Sequence, residues 1–140
     1  MTVSTADLKA GESRESVLVG DLKRTRIVQY AGACGDFNPL HTDEKFAVEA
    51  AGYPGVFAHG MLTMGMTGRV LTDWVGPEAL LRYGVRFKAQ VWPGDTLTAT
   101  ATVDSIEKTP SGPVAHFTLA TVNQNGVEVV SGTATARLEP

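Results

Sequence analysis

The run Gly60-Met-Leu-Thr-Met-Gly-Met-Thr-Gly-Arg-Val-Leu-Thr-Asp-Trp74 puts apolar or small residues on every side of a helix: Met61, Leu62, Met64, Gly65, Met66, Gly68, Val70 and Leu71. A helix that is apolar nearly all round is normally a buried one. Gly65 and Gly68 each cost about 1 kcal/mol against alanine inside a helix. Close approach to a sheet, another helix or a ligand offsets that cost. The run is too short to cross a bilayer and carries Arg69 near its end. It is expected to form a central buried helix over Gly60–Trp74.

Such a helix needs cover, and the chain after Gly76-Pro77 supplies it. Thr96–Val103 (TLTATATV) alternates strictly, with Leu97, Ala99, Ala101 and Val103 on one face and threonines on the other. That is the pattern of a half-buried antiparallel strand. Asn125-Gly126 sits between two further strand runs, Ala115–Asn123 and Val127–Ala136, and reads as a hairpin turn. Pro93-Gly94 and Pro110-Ser111-Gly112 mark other turns.

Upstream the signals are short. Glu15–Gly20 (ESVLVG) reads as a first edge strand. Thr25 is placed to cap a short helix through Ile27, Val28, Tyr30 and Ala31, which Gly32 and Gly35 then break. A second helix is expected with Thr42 as cap and Asp43 and Glu44 in its first turn, where the dipole favours negative charge, ending at Gly52. Helices in the first half and strands in the second point to an α+β domain with an antiparallel sheet. A curved antiparallel sheet wrapped around one buried helix is the economical solution, which is the hot-dog architecture.

Composition bounds the function. A chain of 140 residues fits one domain, here taken as 1–140. The formal net charge of −3 argues against a nucleic-acid binder, and the longest basic cluster, Lys23–Arg26, is short. One cysteine, Cys34, suits a reducing cytoplasm, and the N-terminal residues show no signal peptide. No membrane association is expected. Three scattered histidines and one cysteine have no metal-ligand spacing, and no dinucleotide or Walker fingerprint is present, so neither metal nor cofactor is expected.

The reactive groups concentrate in Tyr30–His41. Asp36 and His41 flank Phe37-Asn38-Pro39-Leu40, and Pro39 fixes its own φ and pushes Asn38 out of helical geometry. Such a turn can fold a carboxylate and an imidazole toward one water, as general acid–base chemistry requires. Spacing alone leaves the alternative open: an aspartate before a turn serves equally as a cap, and a histidine before an acidic helix start serves as a surface residue. Cys34 has no basic partner in sequence and reads as a small buried thiol. His116, alternating with Thr118, reads as solvent-facing. Arg82, Arg86 and Lys88 alternate along one strand, either meeting ligand phosphates or forming a solvated face.

Gly35-Asp-Phe-Asn-Pro-Leu-His41 followed by Asp43, then Ala58-His-Gly-Met61, Val85-Arg-Phe87 and Pro93-Gly-Asp95, resembles the MaoC-like, R-specific enoyl-thioester hydratases over residues 8–138. The likeness is closest to the hydroxyacyl-thioester dehydratases of mycolic-acid-producing actinobacteria. The resemblance implies a hot-dog fold and reversible syn hydration of trans-2-enoyl thioesters, on CoA or acyl carrier protein, to (R)-3-hydroxyacyl thioesters. It implies that Asp36 activates water for attack at Cβ, that His41 orients that water and helps protonate Cα, and that the Gly60 N–H holds the thioester oxygen. Asn38, His59 and Met61 are expected around the substrate, with Asn38 also shaping the turn and His59 also suited to capping. Some relatives carry a serine at the position matched by Gly68. A homodimer, or a heterodimer with a homologous hot-dog subunit, follows from the same likeness. Two rival readings are an acyl-thioester hydrolase of the same fold and a non-catalytic acyl-binding subunit.

Overall fold

The computed structural model describes residues 3–140. Five strands form one antiparallel sheet: β1 (Ser13–Val19), β2 (Leu80–Phe87), β3 (Leu97–Thr109), β4 (Gly112–Val122) and β5 (Glu128–Arg137). Their order is β1-β3-β4-β5-β2, so β1 and β2 are the two edges. The helix α1 (Arg24–Cys34) and a π-helical turn (Phe46–Ala50) lie between β1 and the long helix α2 (Gly60–Val75). This is the expected α+β hot-dog arrangement, one sheet packed on one central helix.

Alternation decides which face of the sheet meets α2. Leu97, Ala99, Ala101 and Val103 of β3 are fully buried, as are Ala115, Phe117 and Leu119 of β4 and Ala134 and Ala136 of β5. All of them except Leu97 pack on Leu71, Trp74 and Val75 at the C-terminal half of α2. Trp74 meets Phe117 edge-on, with ring centroids 5.5 Å apart. The alanines let the sheet approach the helix closely, and the large side chains fill what remains. A second cluster surrounds the N-terminal half of α2: Leu62 and Met66 with Ile27 of α1, Leu22, Val91, Leu97, Val129 and Val130. It supports the segment where the reactive residues converge.

Several local expectations need correction. α2 is not covered all round. Met61, Gly65, Arg69 and Asp73, four residues apart, form an exposed stripe, with Arg69 and Asp73 3.9 Å apart along it. A fourfold spacing is one row of a helix surface, so α2 presents one open row and buries most of the rest. Gly68 faces the ring of Tyr83, which a Cβ there would meet at 3.0 Å, whereas Gly65 faces open space. α1 begins one residue before Thr25, with Lys23 at the N-cap and no side-chain cap. Gly32 lies within α1, which ends at Gly35 in the left-handed region (φ 76°) with its N–H on Ala31 O. Asp43 rather than Thr42 caps the next turn, its Oδ1 accepting from Phe46 N–H at 3.2 Å. The β4–β5 connection is longer than a two-residue hairpin. Val122 pairs with Glu128, and Asn123 Oδ1 accepts from both Asn125 N–H and Val127 N–H. Only Gly126 takes positive φ there, so the mirror-image turn, which needs it at both central residues, is not formed.

Candidate active site

Asp36 follows the left-handed Gly35 at the end of α1, where the chain turns sharply away from the helix axis. The next residues knot into a series of Asx turns. Asp36 Oδ1 accepts from Asn38 N–H at 3.2 Å, and Asn38 Oδ1 accepts from Leu40 N–H at 3.0 Å. His41 N–H then binds Asn38 O at 3.0 Å, and Asp43 N–H binds Pro39 O at 2.9 Å. Asn38 thus shapes the turn with its side-chain oxygen, and the turn brings His41 back toward Asp36.

His41 Nδ1 lies 2.6 Å from Phe57 O. A carbonyl only accepts, so Nδ1 carries a proton and Nε2 is the atom left to face Asp36. His41 Nε2 and Asp36 Oδ2 are 3.9 Å apart, beyond a direct hydrogen bond, and their side chains are 11% and 53% exposed. A gap of that size with one face open suits a group held between the two, such as a water oxygen or a substrate hydroxyl.

His59 is placed differently from the sequence expectation. Its ring is buried, 2% exposed, and its Nε2 donates to the main-chain carbonyl of Asp36 at 2.9 Å. The ring stacks on His41 and receives the edge of Tyr30, centroids 4.9 Å apart. A side chain so enclosed meets Asp36 and His41 and leaves little surface for any other group. His59 occupies the N-cap position of α2 but makes no side-chain capping bond there. Desolvation is the largest cause that raises the Tyr30 phenol above its ordinary value, followed by neighbouring Cys34 and Asp36.

Gly60 is the first residue of α2. First-turn N–H groups lack partners within a helix, and the N-terminus is the positive end of the dipole, so this position offers donors to a developing oxyanion. A cavity of about 320 Å³ runs beside it, lined by Phe57, Ala58, Gly60, Thr63, Phe87 and Val91 among others. A Cβ at position 60 would lie 3.1 Å from the Phe87 ring, so the glycine keeps this approach narrow but open. Met61 points away on the open row of α2, 56% exposed.

The remaining candidates separate. Cys34 is exposed, contrary to expectation, and its Sγ accepts from Asp36 N–H at 3.4 Å, which helps to seat the aspartate. Arg82 and Arg86 stand opposite Thr135 and Ser131 on the outer face of the sheet. Lys88 follows the end of β2 and lines the cavity. The three cations therefore do not share one face. His116 pairs with Glu107 at 2.8 Å on the outer face. At Gly68 the Tyr83 ring already occupies the space a serine would take, its hydroxyl donating to Met64 O at 2.7 Å.

Asp36, His41 and His59 each offer a ligand atom within 4.8 Å of the others. Their arrangement suits a shared cation poorly. One nitrogen of each ring is committed to a carbonyl. The rings are stacked with planes 25° apart, so the lone pairs left run in nearly parallel planes instead of converging.

Sequence reasoning did not find the double contact of His59 or the placement of Thr63 on the cavity wall. The signal for Thr63 was its i, i+3 spacing from Gly60, which puts both on one side of a helix.

Known proteins are similar to this chain in sequence and in fold. The family described as MaoC like domain matches residues 6–124. An (R)-specific enoyl-CoA hydratase of Rhodospirillum rubrum is 35% identical over 131 residues, covering 92% of this chain and 87% of that protein. Enoyl-CoA hydratase ChsH3 of Mycobacterium tuberculosis is 39% identical over 100 residues. This chain spans only 34% of that longer protein. Among solved structures, the unliganded R-hydratase PhaJ1 of Pseudomonas aeruginosa superposes with a TM-score of 0.83 at 26% identity, covering 99% of this chain and 88% of that one. A chain of the ChsH1–ChsH2 complex of M. tuberculosis does so with a TM-score of 0.78 at 25% identity, covering 94% and 98%. With the sheet, the long helix and the match over most of its length in agreement, this chain belongs to the MaoC-like domain family.

Proposed function

We propose that this chain catalyses the reversible syn hydration of trans-2-enoyl thioesters, carried on CoA or acyl carrier protein, to (R)-3-hydroxyacyl thioesters. The observation that carries the reading is the 3.9 Å gap between Asp36 Oδ2 and His41 Nε2, with His41 bonded to Phe57 O and Phe57 lining the cavity beside Gly60 at the head of α2. The names of the hydratase relatives agree with it.

The chemistry follows from the placement. A water between the two groups loses a proton to the Asp36 carboxylate as its oxygen bonds to Cβ. The π electrons of the double bond move toward the thioester carbonyl, whose oxygen takes up the charge against the Gly60 N–H. Cα then receives a proton from His41 Nε2, the protonated imidazole becoming neutral. Transfer of the proton from Asp36 across the gap to His41 restores both groups. Delivery of oxygen and proton from one side of the substrate makes the addition syn. In dehydration His41 accepts the Cα proton and the Asp36 carboxyl protonates the departing hydroxyl. Asn38 and His59 hold the two groups in place, and Met61 lies on the rim.

The test is hydration of a series of trans-2-enoyl-CoA thioesters by the purified chain, with chiral analysis of the product. Turnover to the (R)-3-hydroxyacyl product, falling at least 10²-fold in Asp36→Asn on the usual scale of acid–base groups, is the expected result. Wild-type turnover in Asp36→Asn and His41→Ala together would sink the reading.

The active unit is proposed to be a dimer with a second hot-dog subunit, either another copy or a homologue. Exposed Phe37 beside Asp36, exposed Met61 and Phe87 beside Gly60, and the unpaired β2 edge supply an apolar, strand-edged surface around a site left open to solvent. A complex of two related chains, ChsH1–ChsH2, is among the structural neighbours. Sedimentation as a monomer at micromolar concentration contradicts this. No helix among the described residues is long and apolar enough to cross a membrane, and a cytoplasmic location is proposed from the lone cysteine.

A further inference from the structure

We propose that Thr63 is a substrate-contacting residue, its hydroxyl donating a second hydrogen bond, beside the Gly60 N–H, to the carbonyl oxygen of the bound thioester. The proposal rests on the thioester reading above.

Thr63 is 2% exposed, and its hydroxyl makes no hydrogen bond among the described residues. A buried hydroxyl left without a partner ordinarily carries a penalty large enough that folds avoid it. The same helix shows the ordinary solution one turn further on. Thr67 Oγ1 pairs with Thr121 Oγ1 at 2.7 Å in the core. The fold therefore satisfies the inner hydroxyl and leaves the outer one vacant. Nor does Thr63 use the usual local outlet, the carbonyl four residues back. His59 O instead receives Leu62 N–H at 3.1 Å and Thr63 N–H at 3.4 Å.

The vacant hydroxyl is not sealed. Among the described residues His59 Nδ1 is the side-chain polar atom that is both enclosed and unpartnered, so Thr63 Oγ1 keeps access to space. That space is the cavity it lines together with Gly60, Ala58, Phe87 and Val130. Side chains on a helix lean back toward its N-terminus. Thr63, at i+3 from Gly60, therefore leans toward the end where the first-turn N–H groups are free. A single acceptor atom between a backbone N–H and this hydroxyl, with mostly apolar walls beyond it, matches a thioester carbonyl followed by an acyl chain.

The experiment pairs Thr63→Val, which keeps shape and branching, with Thr63→Ser, which keeps the hydroxyl. Butyryl-CoA labelled with ¹³C at the thioester carbonyl is bound to each protein as purified, and the carbonyl band is read by difference infrared spectroscopy. This ligand is saturated, so no hydration intervenes. The band is expected to move to lower frequency on wild type and on Thr63→Ser, and to lose part of that shift on Thr63→Val. Crotonyl-CoA turnover is expected to fall about 100-fold in Thr63→Val, the lower end of the range for one oxyanion donor, with KM little changed. The proposal is overturned if wild type shows no band shift, if Thr63→Val keeps the full shift, or if Thr63→Ser behaves like Thr63→Val with both folded by circular dichroism. Absence of crotonyl-CoA hydration by wild type, with a carbonyl shift that still depends on Thr63, would sink the hydratase reading and leave the contact standing.

Discussion

The ring of His59 lies flat against that of His41, centroids 3.8 Å apart and planes inclined by 25°. The same ring donates to the Asp36 carbonyl at 2.9 Å. One buried side chain therefore holds both members of the reactive pair, the aspartate through its main chain and the histidine through its face. A second carbonyl, that of Phe57, fixes the tautomer of His41 from the other side. Such supporting contacts keep a site within the small tolerances catalysis demands.

Replacing His59 separates those two contacts. His59→Phe keeps an aromatic face against His41 and removes the donor to Asp36 O, so turnover is expected to fall about tenfold with KM little affected, the pattern of lost positioning. His59→Ala also leaves a cavity and is expected to cost about 2–3 kcal/mol of stability, read from the urea midpoint. Wild-type kcat in His59→Phe would contradict the positioning role.

Two glycines predict opposite outcomes. At Gly60 an added Cβ would meet the ring of Phe87 at 3.1 Å, and that ring is exposed and free to yield. Gly60→Ala should change stability by less than about 1 kcal/mol while lowering enoyl-CoA turnover at least tenfold, because the methyl narrows the approach to the helix N-terminus. At Gly132 the added Cβ would lie 2.7 Å from Gly84 O, a main-chain atom of the paired strand. Gly132→Ala should cost about 1–3 kcal/mol by overpacking and leave turnover per folded molecule unchanged. Thermal melts and specific activity separate the two.

Tyr83 predicts the alkaline limb of stability. Burial pushes its phenol up to about 12 from 10. A folded-state value above the unfolded one favours the protonated form in the fold. Its contribution is therefore present below pH 10 and is lost as pH rises through about 12. Tyr83→Phe also removes the bond to Met64 O, worth about 1 kcal/mol. The variant should be less stable at neutral pH and show a flatter decline between pH 10 and 12 in urea titrations.

The acid limb has a different origin. Hydrogen bonding from Arg24 is the largest influence holding the Glu44 carboxyl below its ordinary value, and the two form an ion pair joining the start of α1 to the segment after His41. A depressed folded value means that the contribution is present above the unfolded pKa and lost as pH falls through the folded one. Glu44→Gln should flatten the stability profile on the acid side of that range without altering the alkaline side. An unchanged acid limb would show that the pair is too well solvated to count.

The core tests the register. Phe117 is fully buried and packs on Trp74. Phe117→Ala is expected to lose about 3–5 kcal/mol, whereas Thr118→Ala, on the exposed face of the same strand, loses only its bond to Asp104 and should cost about 1 kcal/mol.

Much of the architecture was legible because it rests on period. TLTATATV could place Leu97, Ala99, Ala101 and Val103 on only one face of a strand, and the sheet buries all four. The apolarity of Gly60–Trp74 likewise required burial, and α2 spans Gly60–Val75 and is mostly buried except along the row from Met61 to Asp73. Caps were less legible, since Thr25, Thr42, Lys23 and Asp43 all stand near helix starts and only the path of the chain selects which one serves. Asn38 and Pro39 made a turn between Asp36 and His41 legible, but spacing left a cap and a surface histidine equally open, and the family resemblance chose between the readings. Residues acting through contacts distant in sequence were not legible: His59 reaches Asp36 across 23 positions, and Tyr83 fills the space at Gly68 from another element.

The period of each element, a turn between Asp36 and His41, and the glycine at the head of α2 could be read from the chain because each is set by residues a few positions apart. Packing between distant elements settled that His59 is enclosed between Tyr30 and His41, that Lys88 parts from Arg82 and Arg86, and that the Thr63 hydroxyl is left without a partner among the described residues. Those outcomes depend on which surfaces the sheet presses together, and the free energy of that packing belongs to no local stretch of chain.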